Sequence, residues 1–408
     1  MSTATLAGAL RIALLVALLP ACHRGAVAPP PPLVRVAPAA WPRLADDLDR
    51  RSLLAACDQS LAYLNRLAPD ATVVWGRERL PAGRLTATLA AFRELVATPL
   101  SGADFIRALK ARFDLYRAAG TDGRGRVVFT AYYEPEVAGS LTRTPDYPVP
   151  LYRPPDDLIS VDLGRFRDDY RGRTLNGRLA GRRLVPYHDR AAIDAGALAG
   201  RGLEICWLKD PVDAFFLQIE GSGRLVLPDH TTRHLNYAGA NGRPYRSIGK
   251  ILIEAGELDA DSISMQQVKQ WLRDHPKRAA PLLAANPSYV FFTLADDGPF
   301  GNLGVKITAG RTIATDPALF PKAGLCFVTT EKPVLTADGT AVAGWRSLAR
   351  FALNQDTGGA IRGPGRVDLF WGSGAPAAVA AGHLHHEGSL YWLLLKEGET
   401  TQVSATGG

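Results

Sequence analysis

A mainly β chain in two β-rich parts, with helices at its N-terminal end, is what the sequence predicts, on three observations. The 408 residues exceed what one ordinary hydrophobic core organises, so two domains are expected. Residues 45–119 carry apolar side chains at helical spacing, whereas from Val127 onward the apolar runs shorten and are bounded by Gly, Pro and Asp. After residue 288 such short runs follow one another closely, the pattern of a barrel or sandwich.

The N-terminus comes first. Arg11 precedes the run IALLVALLPA, too short to span a bilayer but suited to a secretory signal. Leu19-Pro20-Ala21-Cys22 resembles a lipoprotein signal in which Cys22 is lipidated, although Pro20 departs from the usual pattern; ordinary secretion with cleavage nearby is the alternative. The expectation is a signal over 1–22, a Pro-rich tether over 23–44, and anchorage in outer-membrane lipid on its periplasmic face, no Asp following Cys22 to suggest retention at the inner membrane. Cys57, Cys206 and Cys326 sit among apolar residues, too far apart for a metal pattern or a disulfide framework, and read as small buried hydrophobes.

The helical segment opens with ADDLDRRSLLAACDQSLAYLNRL and RLTATLAAFRELVAT. SGADFIRALKARFDLYRAAG follows, with Ser101 and Asp104 in capping-box spacing and Gly120 as its end. VVFTAYYEP is a strand running into a proline turn, and residues 138–202 are rich in Pro, Arg, Gly and Asp, which predicts short strands and loops. AFFLQIEGSGRLVLP reads as a hairpin about Gly221-Ser222-Gly223. SIGKILIEAG is a short helix stopped by Gly256, and Ser264 with Gln267 caps the helix SMQQVKQWLRDH. SYVFFTL, GVKITAG, TIATD, GLCFVTT, RSLARFALNQD, RVDLFWG and SLYWLLLK complete the chain as strands.

Net charge is +7, but Lys and Arg do not bunch into runs, so nucleic acid is not an expected partner. GRPYRSIGK is no P-loop, because Pro244 holds the first glycine position and Ile251 follows Lys250. No G-x-S-x-G is present for a serine nucleophile. His383, His385 and His386 read as a solvated loop before the last strand, not as a metal site.

The acids in QDTGGAIRGPGRVDLFWGSG (355–374) are the chemical candidates. Strand alternation puts Val367, Leu369 and Trp371 on one face and Arg366, Asp368 and Phe370 on the other. An acid, an arginine and a ring on one face suit a sugar-binding groove; a plain half-exposed strand gives the same pattern. Asp356 before Thr-Gly-Gly and Asp316 before Pro317 equally suit turns.

Five motifs in one order go further: TAYYEPEVAGS, DAFFLQIEGSGRLVLPD, YAGANGRPYRSIGKILIEAGE, NPSYVFF, and TIATDP with the stretch at 355–374. Over residues 130–397 the chain resembles the membrane-bound lytic murein transglycosylase A family with its three-aspartate domain. GVKITAG replaces the family's usual proline-leucine-threonine loop, and His230 stands where its hairpin has glycine.

The resemblance implies a double-psi β-barrel domain, with N-terminal helices, from residues 45–129 and 294–398, a second β-rich domain inserted at 130–293, and glycan in the groove between them. It implies cleavage of the β-1,4 bond between N-acetylmuramic acid and N-acetylglucosamine of peptidoglycan without water, leaving 1,6-anhydro ends. The family's catalytic acid falls on Asp368; Asp356 would set its environment, and Asp316 would be more structural. Groove residues would be Tyr133, Glu134, Gln218, Gly221, Ser222, Tyr237, Asn241, Tyr245 and Lys250. No cofactor or metal is expected, and the chain would act as a monomer. A non-catalytic glycan-binding barrel or a peptidoglycan hydrolase is the alternative.

Overall fold

Six strands close on one another as a barrel in the computed structural model, which describes residues 31–260 and 263–398. Around the ring run Val127–Glu134, Arg366–Ser373, Thr312–Ala314, Val342–Asp356, Leu325–Leu335 and His385–Leu395, and the last pairs back onto the first. Val127–Glu134 lies parallel to Arg366–Ser373, and Thr312–Ala314 parallel to Val342–Asp356; the other ring pairings are antiparallel. Closure leaves no unpaired edge in the ring. This is the double-psi barrel expected.

Helices Arg50–Leu64, Ala82–Ala97 and Gly102–Arg112 pack on the barrel and share one core with it. Phe92 meets Phe351 at 5.0 Å, and Phe320 stacks on Trp392 at 5.0 Å. Arg311 crosses this core with no exposed surface. Its guanidinium donates to Asp46 Oδ2 (2.6 Å), Ser52 Oγ (3.0 Å) and the carbonyls of Asp49 and Phe351 (2.8 Å each).

At Pro135 the chain leaves the barrel for a second, six-stranded sheet, ordered Val290–Ala295, Thr232–Ala240, Gly223–Val226, Glu136–Ser140, Glu204–Leu208, Val149–Tyr152. Helices Pro211–Glu220, Ile248–Glu254, Met265–Asp274 and Pro276–Ala284 form a further apolar cluster around Phe215, Phe216, Leu252 and Trp271. A small sheet of Ile159–Asp162, Thr174–Ala180 and Arg183–Pro186 lies in the Arg-rich stretch.

Several expectations are corrected. DAFFLQIE is the body of helix Pro211–Glu220, not a hairpin strand. Asp210 accepts from Val212 N at 2.8 Å as its N-cap and Pro211 supplies the preset first turn, which favours a helix over the alternating reading. The hairpin lies one segment later, Gly223–Val226 against Thr232–Ala240. Phe113–Ala118 is a strand on His385–Leu395, so the preceding helix stops at Arg112 rather than Gly120. Part of the Pro-rich stretch is not a free tether: Leu33–Val36 pairs with Phe113–Ala118, and Trp41 and Leu44 are buried. GVKITAG forms no strand beyond a single bridge at Lys306.

Ser264 and Gln267 make the predicted capping box, and Cys57, Cys206 and Cys326 are buried free thiols. His383 ends helix Ala375–His383, while His386, in the last strand, pairs with Glu331 at 3.1 Å. Cys22 lies outside the described residues. Among the described residues no helix is long and apolar enough to cross a membrane.

Candidate active site

The two acids of the glycine-rich stretch are brought together by strand order. Asp368 pairs with Ala314 on one side and with Thr130 on the other, and Ala314 in turn pairs with Asp356. Two steps of about 4.8 Å therefore separate the Asp356 and Asp368 backbones, with a methyl between them. The opposite face of Arg366–Ser373 sends Val367 and Leu369 into the core, as alternation predicts.

Asp368 is half-buried. Among the described residues its one hydrogen bond comes from the Thr130 hydroxyl, which donates to Oδ1 at 2.7 Å; Arg366 Nη2 donates to the same hydroxyl at 3.0 Å and so orients it. Burial pushes the Asp368 carboxyl up to about 6 and the Asp356 charge adds to the rise, while the Thr130 hydroxyl and the Arg366 charge pull it down.

Asp356 is held differently. The Tyr132 hydroxyl donates to Oδ2 at 2.8 Å, and the backbone N–H groups of Asn302 and Thr357 donate to Oδ1 at 2.9 Å each. Burial raises its carboxyl above the usual range, and those three donors oppose the rise. Burial and the Asp356 charge push the Tyr132 phenol well up, so it stays an O–H donor. Gly301 closes this corner, where a Cβ would lie 2.6 Å from the Gln355 carbonyl oxygen and 3.3 Å from Asp356 Cγ. Beneath, Gln355 is fixed by Thr312 Oγ1 at 2.5 Å and donates to Ala56 O and Ser60 Oγ.

Asp316 is buried, and its carboxylate accepts from Ala318 N at 3.0 Å and Gly363 N at 2.8 Å. It ties the turn after Thr312–Ala314 to the loop that leads into the Asp368 strand.

The expected groove residues divide. Tyr237 and Tyr245 are exposed rings, at 53% and 49%, and Lys250 is exposed beside Glu254 at 3.7 Å. Tyr133 is buried against Ala377 and Ala381. Gly221 ends helix Pro211–Glu220 in the left-handed conformation at φ +79°, and Ser222 beyond it is buried. Glu134, Gln218 and Asn241 are internal struts. Glu134 Oε1 meets His234 Nδ1 at 2.8 Å and its Oε2 accepts from Ser373 at 2.7 Å, which locks the second sheet to the barrel. Gln218 Oε1 accepts from Arg190 at 2.6 Å. Asn241 donates to His188 O and Pro287 O and accepts from the N–H groups of Arg243 and Tyr289. Polar side-chain type suggested a sugar contact for these three; in the structure all three are buried and hydrogen-bonded within the protein.

Sequence reasoning missed Thr130, Tyr132 and Glu220. Thr130 and Tyr132 alternate along VFTAYYE on the face beside Asp368, a period-two signal readable once the strand pairing is known. Glu220 is the last residue of helix Pro211–Glu220, and its Oε2 accepts from Tyr133 N at 3.3 Å. A half-open cavity of about 810 Å³ lined by Trp41, Phe105 and Phe351 shares no residue with this cluster.

The MltA-specific insert domain matches residues 128–293 and the 3D domain matches residues 311–394. Membrane-bound lytic murein transglycosylase A of Vibrio cholerae is 32% identical over 302 residues, 72% of each chain. That of Escherichia coli K12 is 31% identical over 284 residues, 69% of each chain. Among solved structures, a membrane-bound lytic murein transglycosylase from Agrobacterium tumefaciens superposes with a TM-score of 0.74 at 32% identity, covering 91% of this chain and 98% of that one. E. coli MltA with bound chitohexaose superposes with a TM-score of 0.65 at 25% identity, covering 90% and 94%. A double-psi barrel with this inserted domain is that of a lytic transglycosylase, an enzyme of the lyase class. The chain belongs to the membrane-bound lytic murein transglycosylase A family.

Proposed function

We propose that this chain cleaves the β-1,4 bond between N-acetylmuramic acid and N-acetylglucosamine of peptidoglycan without water, with Asp368 as its single acid and base. The contrast between the two central carboxyls carries the reading. Asp356 receives three donors and is fixed, whereas Asp368 receives one neutral hydroxyl and keeps capacity to exchange a proton. Its rise to about 6 keeps a working fraction protonated near neutrality.

In the proposed reaction, protonated Asp368 gives its proton to the glycosidic oxygen as the C1–O bond breaks. The C6 hydroxyl of the same muramyl residue attacks C1, and the Asp368 carboxylate takes the C6 proton. The nucleophile is intramolecular, so no second carboxylate is required to activate a water. Asp356 acts by holding Tyr132 and the Asn302 loop and by raising Asp368 through its charge. Asp316 orders the loop into the catalytic strand. Tyr237, Tyr245 and Lys250 are the exposed side chains offered to the glycan.

The E. coli relative was crystallised with chitohexaose, and we assign β-1,4-linked glycan to the seam beside Asp368 here. Lipidation at Cys22 would hold the enzyme, as a monomer, on the periplasmic face of the outer membrane. Mass spectrometry of products from purified sacculi tests the function: 1,6-anhydro ends are expected, and reducing ends would convert the reading to a hydrolase. Asp368→Asn is expected to lower turnover by about 10²–10⁴-fold with chitohexaose binding retained; absence of turnover in the unaltered protein would favour a binding module.

A further inference from the structure

One carboxyl at the seam has no part in the reaction described above. Glu220 closes helix Pro211–Glu220 and is half-buried. Its Oε2 accepts one long hydrogen bond, 3.3 Å, from Tyr133 N, and among the described residues Oε1 has no protein partner. Every element packed around it bears on its charge. The barrel strand Val127–Glu134 contributes Tyr132 and Tyr133, both buried phenols. The Arg366–Ser373 strand contributes Asp368, whose negative charge acts on Glu220 directly. Tyr245, from the loop before helix Ile248–Glu254, feels the Glu220 charge. On its own helix lies Asp213. Among the described residues the one cation acting on it is Lys269 of helix Met265–Asp274, which pulls the Glu220 carboxyl down but is shared with Asp213 at 3.8 Å and lies over the Phe216 ring at 4.9 Å. The helix C-terminus adds its own partial negative charge. An ionised carboxylate in this place would have one weak donor and several repelling neighbours.

We infer that Glu220 is a further sugar-binding residue of this groove, presenting Oε1 as a hydroxyl donor to an oxygen of the glycan beside Asp368. The inference rests on the reading of this seam as the glycan groove. Burial, with Asp368 next among the groups that raise it, pushes the Glu220 carboxyl up to about 8, so at neutral pH it carries the proton it donates. A carboxylic acid in this role behaves like a primary amide. Glutamine therefore preserves the donor and removes the titration, and alanine removes both. The same logic bears on stability. Glu220's folded midpoint lies above its unfolded one, so the stability contributed by its neutral form is lost as pH rises from the ordinary carboxylate range to about 8 and changes no further beyond.

The test measures chitohexaose binding by calorimetry at pH 7 and 9.5 on the full chain and on Glu220→Gln and Glu220→Ala. Asp368, at about 6, is largely ionised at both values. One hydrogen bond is worth about tenfold in affinity. The unaltered protein is expected to bind roughly tenfold more weakly at pH 9.5 than at pH 7. Glu220→Gln is expected to match it at pH 7 and to stay flat, and Glu220→Ala to be about tenfold weaker at pH 7. Thermal melts keep the test decisive whatever the alanine variant does: the lead of Glu220→Gln over the unaltered protein should grow as pH rises from about 5 to about 8 and stay constant above that. The inference is overturned if Glu220→Gln loses the alkaline step no more than the unaltered protein does, or binds as weakly as Glu220→Ala at pH 7. Binding is read without turnover, so a protein that shows this pattern yet forms no anhydro ends would retain Glu220 and lose the lyase reading.

Discussion

Replacing Thr130 by Val deletes the one hydroxyl that donates to Asp368, at 2.7 Å, and changes little else in side-chain shape. That bond favours the carboxylate, so its loss must raise the midpoint of Asp368 above its present value of about 6. A hydrogen bond to a charged group is worth about 1.5–3 kcal/mol, and about 1.4 kcal/mol moves a midpoint by one pH unit. Asp368 is half-buried and water takes over part of the bond, so the low end, about one pH unit, is expected. The proposed acid works in its protonated form, so activity falls as pH rises through the midpoint. The alkaline limb of kcat/KM should therefore move from about 6 in the unaltered enzyme to about 7 in Thr130→Val. Thr130→Ser keeps the hydroxyl and should restore the original limb. The assay is release of anhydro-ended fragments from sacculi between pH 4.5 and 8.5. An unmoved limb, or one moved to lower pH, would refute both the direction of this coupling and the assignment of the limb to Asp368.

Three further outcomes follow from the geometry. Glu134→Ala removes the strut between His234 and Ser373 and, among the described residues, the side-chain hydrogen-bond partner of both; a loss of about 3 kcal/mol should appear as a lower urea midpoint. Gly301→Ala forces the Asn302 loop off Asp356, because the added Cβ lies 2.6 Å from the Gln355 carbonyl oxygen; kcat should fall by about tenfold or more while the far-ultraviolet spectrum is unchanged. Tyr245→Ala deletes a half-exposed ring and should weaken chitohexaose binding by roughly fivefold, the worth of about 1 kcal/mol of stacking, with no change in melting temperature.

What could be read from the sequence was mostly local. Alternation in RVDLFWG gave the face of Asp368, and the Ser264–Gln267 box needed only its own four residues. Thr130 could not be found in this way. It neighbours Asp368 only because two strands 238 residues apart lie in parallel register, and no window along the chain contains that fact. The apolar density of AFFLQIE satisfied both periods; the Asp210-Pro211 start was the local signal that decided it, and it went unused. Gln218 and Asn241 show a different gap. Amide chemistry suits a sugar and suits equally a buried guanidinium or a loop backbone, and the choice depends on Arg190 and on the carbonyls of His188 and Pro287, which come from other parts of the chain.

The parallel pairing of Val127–Glu134 with Arg366–Ser373 also sets when the molecule becomes dangerous. A chain delivered N-terminus first presents Thr130 and Tyr132 long before the acid they serve, and the ring is sealed only by His385–Leu395. Contacts so distant in sequence form late and slowly. Any unfinished or truncated product lacking those last strands lacks the blade itself, however well its middle has folded. For a protein proposed to cut its own cell's casing, the order of the chain serves as a safety catch.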